Sequence, residues 1–315
     1  MKILITGAAG NMGSLTARSL LARGHRLRLL VHRTPLPQDL SRAPQVEVVH
    51  ADLDRPDSLA PAVQGVEAVI HYAGVLFRPR PERFLPRTNL GYVVHLVQAA
   101  LEARVRKIAL VSFPQVEGHT SPARPASGRI DGRPTSVHAR TRLAAELHLL
   151  EACRGTDTIP VVLRAGLVYA QGMILIEATR WLMRRGLFAI WPEETWYHPI
   201  ALPDYLTCAA RALEMETASG IYLVADDRPL LLREMADRLA RHWGYPRPRR
   251  LPRAAFFAAA LACESFALAF GTPAPLSRDV VRIGMASHAC DTSRMKAELL
   301  SALEYPTLEE GLAIL

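Results

Sequence analysis

Lysine is almost missing from this sequence: Lys2, Lys107 and Lys296 are the only three among its 38 basic residues. The arginines that remain are spread along the chain, so the net charge of +8 gathers on no single element. No nucleic-acid-binding module is present either, which argues against a nucleic-acid partner. Cysteine is equally sparse. Cys153, Cys208, Cys263 and Cys290 stand singly and far apart, which excludes a metal-ligand pattern and predicts buried thiols in a reducing, cytoplasmic setting. The opening MKILITG runs directly into an apolar strand, leaving no place for a signal peptide. No uninterrupted apolar run has the length of a membrane span, because the one from Ala254 to Cys263 is short and meets Glu264.

What is present is an alternation. KILITG, HRLRLLVHR, VEVVHADL, VEAVIHYAG and VRKIALVSF read as five strands, followed later by IPVVLRAGLVY and GIYLVAD. Helical spacing fills most of the intervals, including Met12, Leu15, Leu20 and Leu21 before a stop at Gly24, and a long helix from about Arg83 to Arg104. Apolar strands separated by helices predict an α/β fold of the Rossmann type, a doubly wound parallel sheet covered on both faces. Ligands in such sheets sit beyond the carboxyl ends of the strands.

The turn after the first strand reads TGAAGNMG. Gly7 suits a tight turn, Gly10 lets a diphosphate approach bare backbone, and Gly13 lets the helix lie close to the sheet. Amides at Asn11 and Met12 then face the phosphates, helped by the helix dipole. Three glycines alone are a weak signal, but here the strand and helix that the motif requires both flank it. A carboxylate at the end of the second strand would favour NAD by binding ribose hydroxyls. This chain has Arg33 there, in LLVHRT, and a guanidinium suits a 2′-phosphate, so NADP is preferred and NAD is the alternative.

With these segments the chain resembles the extended short-chain dehydrogenase/reductase family of the NAD-dependent epimerase/dehydratase type, nearly from end to end. TGAAGNMG matches TGxxGxxG, and LRAGLVYAQG is similar to LRPxxVYGPG, with Ala165 and Ala170 departing from it. HPIALPDYLTCAARALE and CDTSRMKAELL resemble later family segments. The resemblance implies that Asp52 and Leu53 of HADLDRPDSL lie near the adenine, that Ala73 and Gly74 of VIHYAG line the cofactor, and that Asn89 of TNLGYVVHL is the family's helix asparagine. It also implies a division into a dinucleotide-binding part, residues 1–170 with 194–226 returning to it, and a small, mainly helical substrate-capping part, residues 171–193 and 227–315.

The family's catalytic tyrosine and, four residues later on the same helix face, its lysine are replaced in TSVHARTRLAAE by His138 and Arg142. A shifted register does not restore the pair, since no tyrosine lies between Tyr92 and Tyr169 and no lysine between Lys107 and Lys296. The family serine or threonine after the fifth strand aligns with Phe113, with Ser112 one residue away. Arginine can hold a ribose but does not exchange its proton. Histidine near an ordinary pKa of about 6.5 can act as general acid or base, and an adjacent arginine favours its neutral form. His138 and Arg142 are thus the candidate catalytic residues, with Arg142 also a cofactor contact; both also suit ordinary polar positions facing a cleft. His71, Tyr72 and Tyr169 suit core packing, and His198 and Asp204 suit structural roles.

The apolar helix RAAFFAAALACESFALAFG follows a basic PRPRRLPR. Core or lid packing is the favoured expectation over peripheral membrane contact by residues 247–270. Three functions fit these residues: a non-standard oxidoreductase acting on a small, apolar organic molecule, a regulatory module that binds NADP(H) without turnover, and a lyase or isomerase reusing the pocket. Calorimetric titration with NADPH, NADP, NADH and NAD should show binding, tighter for the phosphorylated pair; no heat with any of the four would remove the first two readings.

Overall fold

A computed structural model describes residues 1–75 and 77–315. Seven strands form one parallel sheet: β1 (Lys2–Thr6), β2 (Arg26–Val31), β3 (Val46–His50), β4 (Ala68–His71), β5 (Lys107–Ser112), β6 (Ile159–Ala165) and β7 (Gly220–Val224). Their spatial order is β7-β6-β5-β4-β1-β2-β3. The direction of winding reverses between β1 and β4, where Thr6 lies opposite His71. Such a switch point leaves a crevice at the strands' carboxyl ends. Alternate side chains of β1 feed two cores, Ile3 and Ile5 on one face and Leu4 on the other.

The main helices are α1 (Asn11–Ala22), α2 (Tyr92–Glu102), α3 (Val137–Ala152), α4 (Ile174–Arg184), α5 (Leu202–Glu214), α6 (Leu232–Trp243), α7 (Arg253–Phe270) and α8 (Arg278–Gly284). Lys107, one of the three lysines and the first residue of β5, is fully buried. Its Nζ donates to the carbonyls of Ala212 (3.0 Å) and Met215 at the end of α5, where the helix dipole favours a cation. Burial lowers that ammonium to a pKa of about 8.

Two expected elements are broken in instructive ways. The helix expected from Arg83 to Arg104 consists of Pro81–Leu85, a π-helical turn over Pro86–Gly91, and α2. Pro86 has no amide to give the α-helical ladder, and the wider turn absorbs that loss. The run IPVVLRAGLVY is likewise two strands, because Leu167–Tyr169 leaves the main sheet to pair with Pro199–Ala201. Gly166 marks the break, where a Cβ would lie 2.0 Å from the carbonyl oxygen of His198.

α7 departs from its expected packing. It buries Ala260, Glu264 and Ala267, while Leu261, Phe266, Leu268 and Phe270 on its other side are exposed.

Gly166→Ala should therefore lower stability by about 3 kcal/mol or more, since backbone meets backbone. Gly65→Ala, at φ +69 but in open space, should cost only about 1 kcal/mol; urea denaturation of both variants checks the contrast.

Candidate active site

The glycine turn is built by close approach. A Cβ on Gly7 (φ +71) would lie 2.7 Å from the amide nitrogen of Ala73, and one on Gly13 would lie 2.3 Å from the Gly7 carbonyl oxygen. Bare backbone at both positions lets α1 start tight against the ends of β1 and β4. Gly10 is the N-cap, with no side chain capping the helix and no acidic residue in its first turn. The first amides of α1, at Asn11 and Met12, have no partner within their own helix. The side chain of Asn11 donates to the carbonyl of Gly172 (3.1 Å), tying the turn to the loop after Tyr169. The cradle is uncrowded and electropositive, which fits a diphosphate.

Arg33 follows β2 and is exposed. Asp52 follows β3, where its carboxylate receives the Asp54 amide (3.0 Å) and stands 3.5 Å from His32. The Leu53 side chain is buried in the core, and its carbonyl oxygen meets His95 Nδ1 at 2.8 Å. Arg33, Asp52 and Leu53 thus share the β2–β3 side of the crevice.

On the other side, Ala73 and exposed Gly74 follow β4. A Cβ on Gly74 would lie 3.7 Å from Arg142 Nη2 and 3.9 Å from Asn89 Oδ1, so Gly74, Asn89 and Arg142 meet at one place. Asn89 lies fully buried in the π-turn; its Nδ2 donates to Thr141 Oγ1 (2.9 Å), while its Oδ1 accepts a long bond from Arg142 Nη2 (3.5 Å). Arg142 is buried, yet its Nε and Nη1 have no hydrogen-bond partner. Burial pulls the guanidinium down to a pKa of about 10, opposed by Glu146, and it remains cationic at neutral pH.

His138 sits one turn nearer the start of α3, half-buried, with its ring 5.2 Å from that of Phe113. Burial first, and the Arg142 charge second, lower its pKa to about 3. His71 at the end of β4 is lowered to about 3 by the same two causes; its Nδ1 meets Thr6 Oγ1 at 2.8 Å and its Nε2 has no partner. Two neutral imidazoles therefore accompany one guanidinium.

The start of α3 is held from a distance. Ser136 Oγ accepts from the Ala139 amide (3.0 Å), while Asp279 in α8 accepts from the amides of Val137 (2.7 Å) and His138 (3.0 Å). Sequence reasoning missed Asp279. It lies far along the chain, and nothing local distinguishes it from an ordinary first-turn acid of its own helix.

The remaining candidates are structural. Tyr72 bonds Thr16 (2.7 Å) and Tyr205 (2.9 Å), and Tyr169 reaches the Thr307 carbonyl (3.4 Å). Ser112 donates to Glu146. His198 Nδ1 accepts from the Cys290 amide (3.0 Å), and Asp204 receives the amides of Glu304 (2.7 Å) and Tyr305 (3.0 Å). Among the described residues no cluster of three or more His, Cys, Asp or Glu could hold a metal.

Residues 3–185 match the family described as NAD dependent epimerase/dehydratase. A 3-diazoavenalumate denitrifying reductase from a Streptomyces species is 32% identical over 81% of this chain and 85% of its own length. A 2-alkyl-3-oxoalkanoate reductase from Stenotrophomonas maltophilia is 25% identical over 78% of this chain and 77% of its own. The fold matches that of a Thermus thermophilus UDP-glucose 4-epimerase solved with NAD, with a TM-score of 0.77 and 20% identity, covering 100% of this chain and 97% of that one.

Asp279→Ala should cost about 1–2 kcal/mol, as the loss of a helix cap does, and should shift the His138 ring resonances. Asp279→Asn, keeping one acceptor oxygen, should recover part of both in urea melts and NMR spectra.

Proposed function

The chain belongs to the NAD dependent epimerase/dehydratase family, and from that premise we propose that it is an NADP-preferring oxidoreductase acting on a small, largely apolar carbonyl or alcohol. His138 and Arg142 take the places of the family's tyrosine and lysine. The observation that carries this reading is the buried Arg142 guanidinium, two of whose nitrogens lack partners beside Gly74. A buried unpaired cation is costly, and electron-rich oxygens of a ligand would relieve it. The names of two relatives, both reductases, support the direction, and a 2-alkyl-3-oxoalkanoate is of the substrate class proposed.

The roles follow from the chemistry of each group. The amides of α1 and the bare glycines would hold the diphosphate of NADP and Arg33 its 2′-phosphate; the nicotinamide, once held there, would supply or accept the hydride. His138, neutral above about pH 3, is a poor proton exchanger at neutral pH but a competent hydrogen-bond donor to a substrate oxygen. Arg142 stabilises negative charge as it develops on that oxygen, in a site where water screens little. Water delivers the final proton. The depressed His138 pKa also favours a second reading, a regulatory module that binds NADP(H) without turning it over.

With NADPH and alkyl ketones, His138→Ala and Arg142→Gln should each lower kcat about 100-fold, the scale of a lost oxyanion donor. An unaltered rate in His138→Ala removes that residue from the mechanism, and no turnover of any carbonyl by the wild type leaves the second reading. Arg33→Ala should weaken NADPH binding about tenfold or more relative to NADH, from the loss of charged hydrogen bonds. Because His138 is already neutral, kcat/KM should show no histidine step near pH 6.5; an inflection there that disappears in His138→Ala would sink the neutral-donor role.

A further inference from the structure

Between Arg253 and Arg278 the chain carries one charged residue, Glu264. That carboxylate is turned inward, where it accepts from the backbone amide and the Nε of Arg278, both at 2.8 Å. Ala260 packs with Val281 and Met285 in the same small core. Ala260, Glu264 and Ala267 follow i, i+4, i+7 spacing, so α7 is docked by one face. Its other side shows Leu261, Phe266, Leu268 and Phe270, exposed at 51%, 57%, 46% and 68%, around Ala258, Ala262 and Ala269. No charge interrupts that side.

The approach to α7 is strongly basic. Arg247, Arg249 and Arg250 are exposed. Arg253 pairs with Glu193 (2.9 Å), and the neighbouring Glu194 is engaged by Arg233 (3.4 Å). Arg249–Arg250 pairs with Ala189–Ile190, which brings exposed Leu187 and Leu251 into the same neighbourhood. Just before Leu187, Arg185 stacks 4.0 Å over the ring of exposed Trp181. Arginines beside exposed Leu and Trp form the pattern of an interfacial segment, with cations for headgroups and apolar groups for acyl chains.

We propose that α7 and the basic segment before it, residues 247–270, seat the protein on an anionic lipid surface, the helix lying in the plane of the interface. By length and composition α7 is apolar enough to cross a membrane. Spanning, however, would tear Glu264 from Arg278 and place it in hydrocarbon, whereas lying flat keeps the buried pair and wets only the basic end. A second copy of this chain fits the face less well, because it brings a like net charge of +8, whereas an anionic bilayer complements the arginines. The segment after α7 also approaches the candidate site in sequence: the amide of Ala274 donates to the carbonyl of Phe77 (2.7 Å), three residues past Gly74.

Vesicle co-sedimentation of the intact protein tests this. Phosphatidylcholine vesicles with about 30% phosphatidylglycerol should capture the protein at least tenfold better than phosphatidylcholine alone, by the electrostatic contribution of several arginines. Raising salt to about 1 M, where the Debye length is about 3 Å, should erase that preference. Phe266→Glu/Phe270→Glu should reduce capture about tenfold or more. Arg249→Glu/Arg250→Glu should remove the lipid-charge preference, and it carries the test should the phenylalanine pair disturb folding as read by urea melting. No capture by anionic vesicles overturns the proposal. So does undiminished capture by folded Phe266→Glu/Phe270→Glu. A wild-type dimer that becomes monomeric in that variant, without lipid binding, assigns the face to a second copy instead and overturns it equally.

Discussion

The placing of the candidate site depends on the buried guanidinium of Arg164 in β6. It has no exposure, and it donates to Glu146 of α3 (2.6 Å), to Glu117 (2.6 Å) and to the carbonyl of Arg129 (2.9 Å). Glu117 in turn receives the amides of Ser127 (3.2 Å) and Gly128 (2.8 Å). Ser112 of β5 completes the set at Glu146. Burying charge is expensive, and such a network persists when nearly every lone pair and proton is used. Its structural effect is to clamp α3 to β5 and β6 at a fixed rotation. Residues 138, 142 and 146 share one face of that helix, so fixing Glu146 sets the direction of that face and brings Arg142 beside Gly74 and Asn89.

Along that face hydrogen bonding thins out toward the crevice. Glu146 is held by Ser112 and Arg164; Arg142 has one long bond to Asn89 and two idle nitrogens; the His138 ring touches Phe113. A core built only for stability would satisfy its buried cation, and the deficit at Arg142 is what the proposed contact with a ligand's oxygens rests on. The electrostatics agree. His71 and His138 are driven neutral, while neighbouring Arg142 keeps a charge that no proton transfer near neutral pH removes. A lysine at that position could lend or regain a proton, whereas arginine does not. The chemistry that fits is stabilisation of charge on oxygen.

Much of this architecture was legible in the sequence because it rests on local pattern. Seven apolar runs became seven strands of one sheet, and the glycine turn lies where its spacing required. Two of the misread features depend on distant partners, and one on a nearby proline. Gly166 breaks a continuous apolar run because the His198 carbonyl crosses there, and no property of the run itself announces that crossing. The π-turn around Asn89 follows from Pro86, within a pattern that otherwise reads as one helix. α7 has a core helix's composition, yet α8 offers only a narrow seat for Ala260, Glu264 and Ala267. Composition measures how apolar a helix is, while exposure depends on how much surface its neighbours can cover.

The first turn of α8 joins the two ends of the molecule's chemistry through adjacent residues. Arg278 holds Glu264 of the exposed apolar helix, and Asp279 holds the amides that begin α3, including that of His138. Glu264 and Asp279 are both buried, at 5% and 4% exposure, so neither carboxylate readily exchanges its partners for water. A displacement of α7 acts on Arg278 through Glu264, and the next residue in the chain fixes the N-terminal turn of α3. A surface able to press on α7 is therefore connected to His138 by two buried carboxylates and one peptide unit.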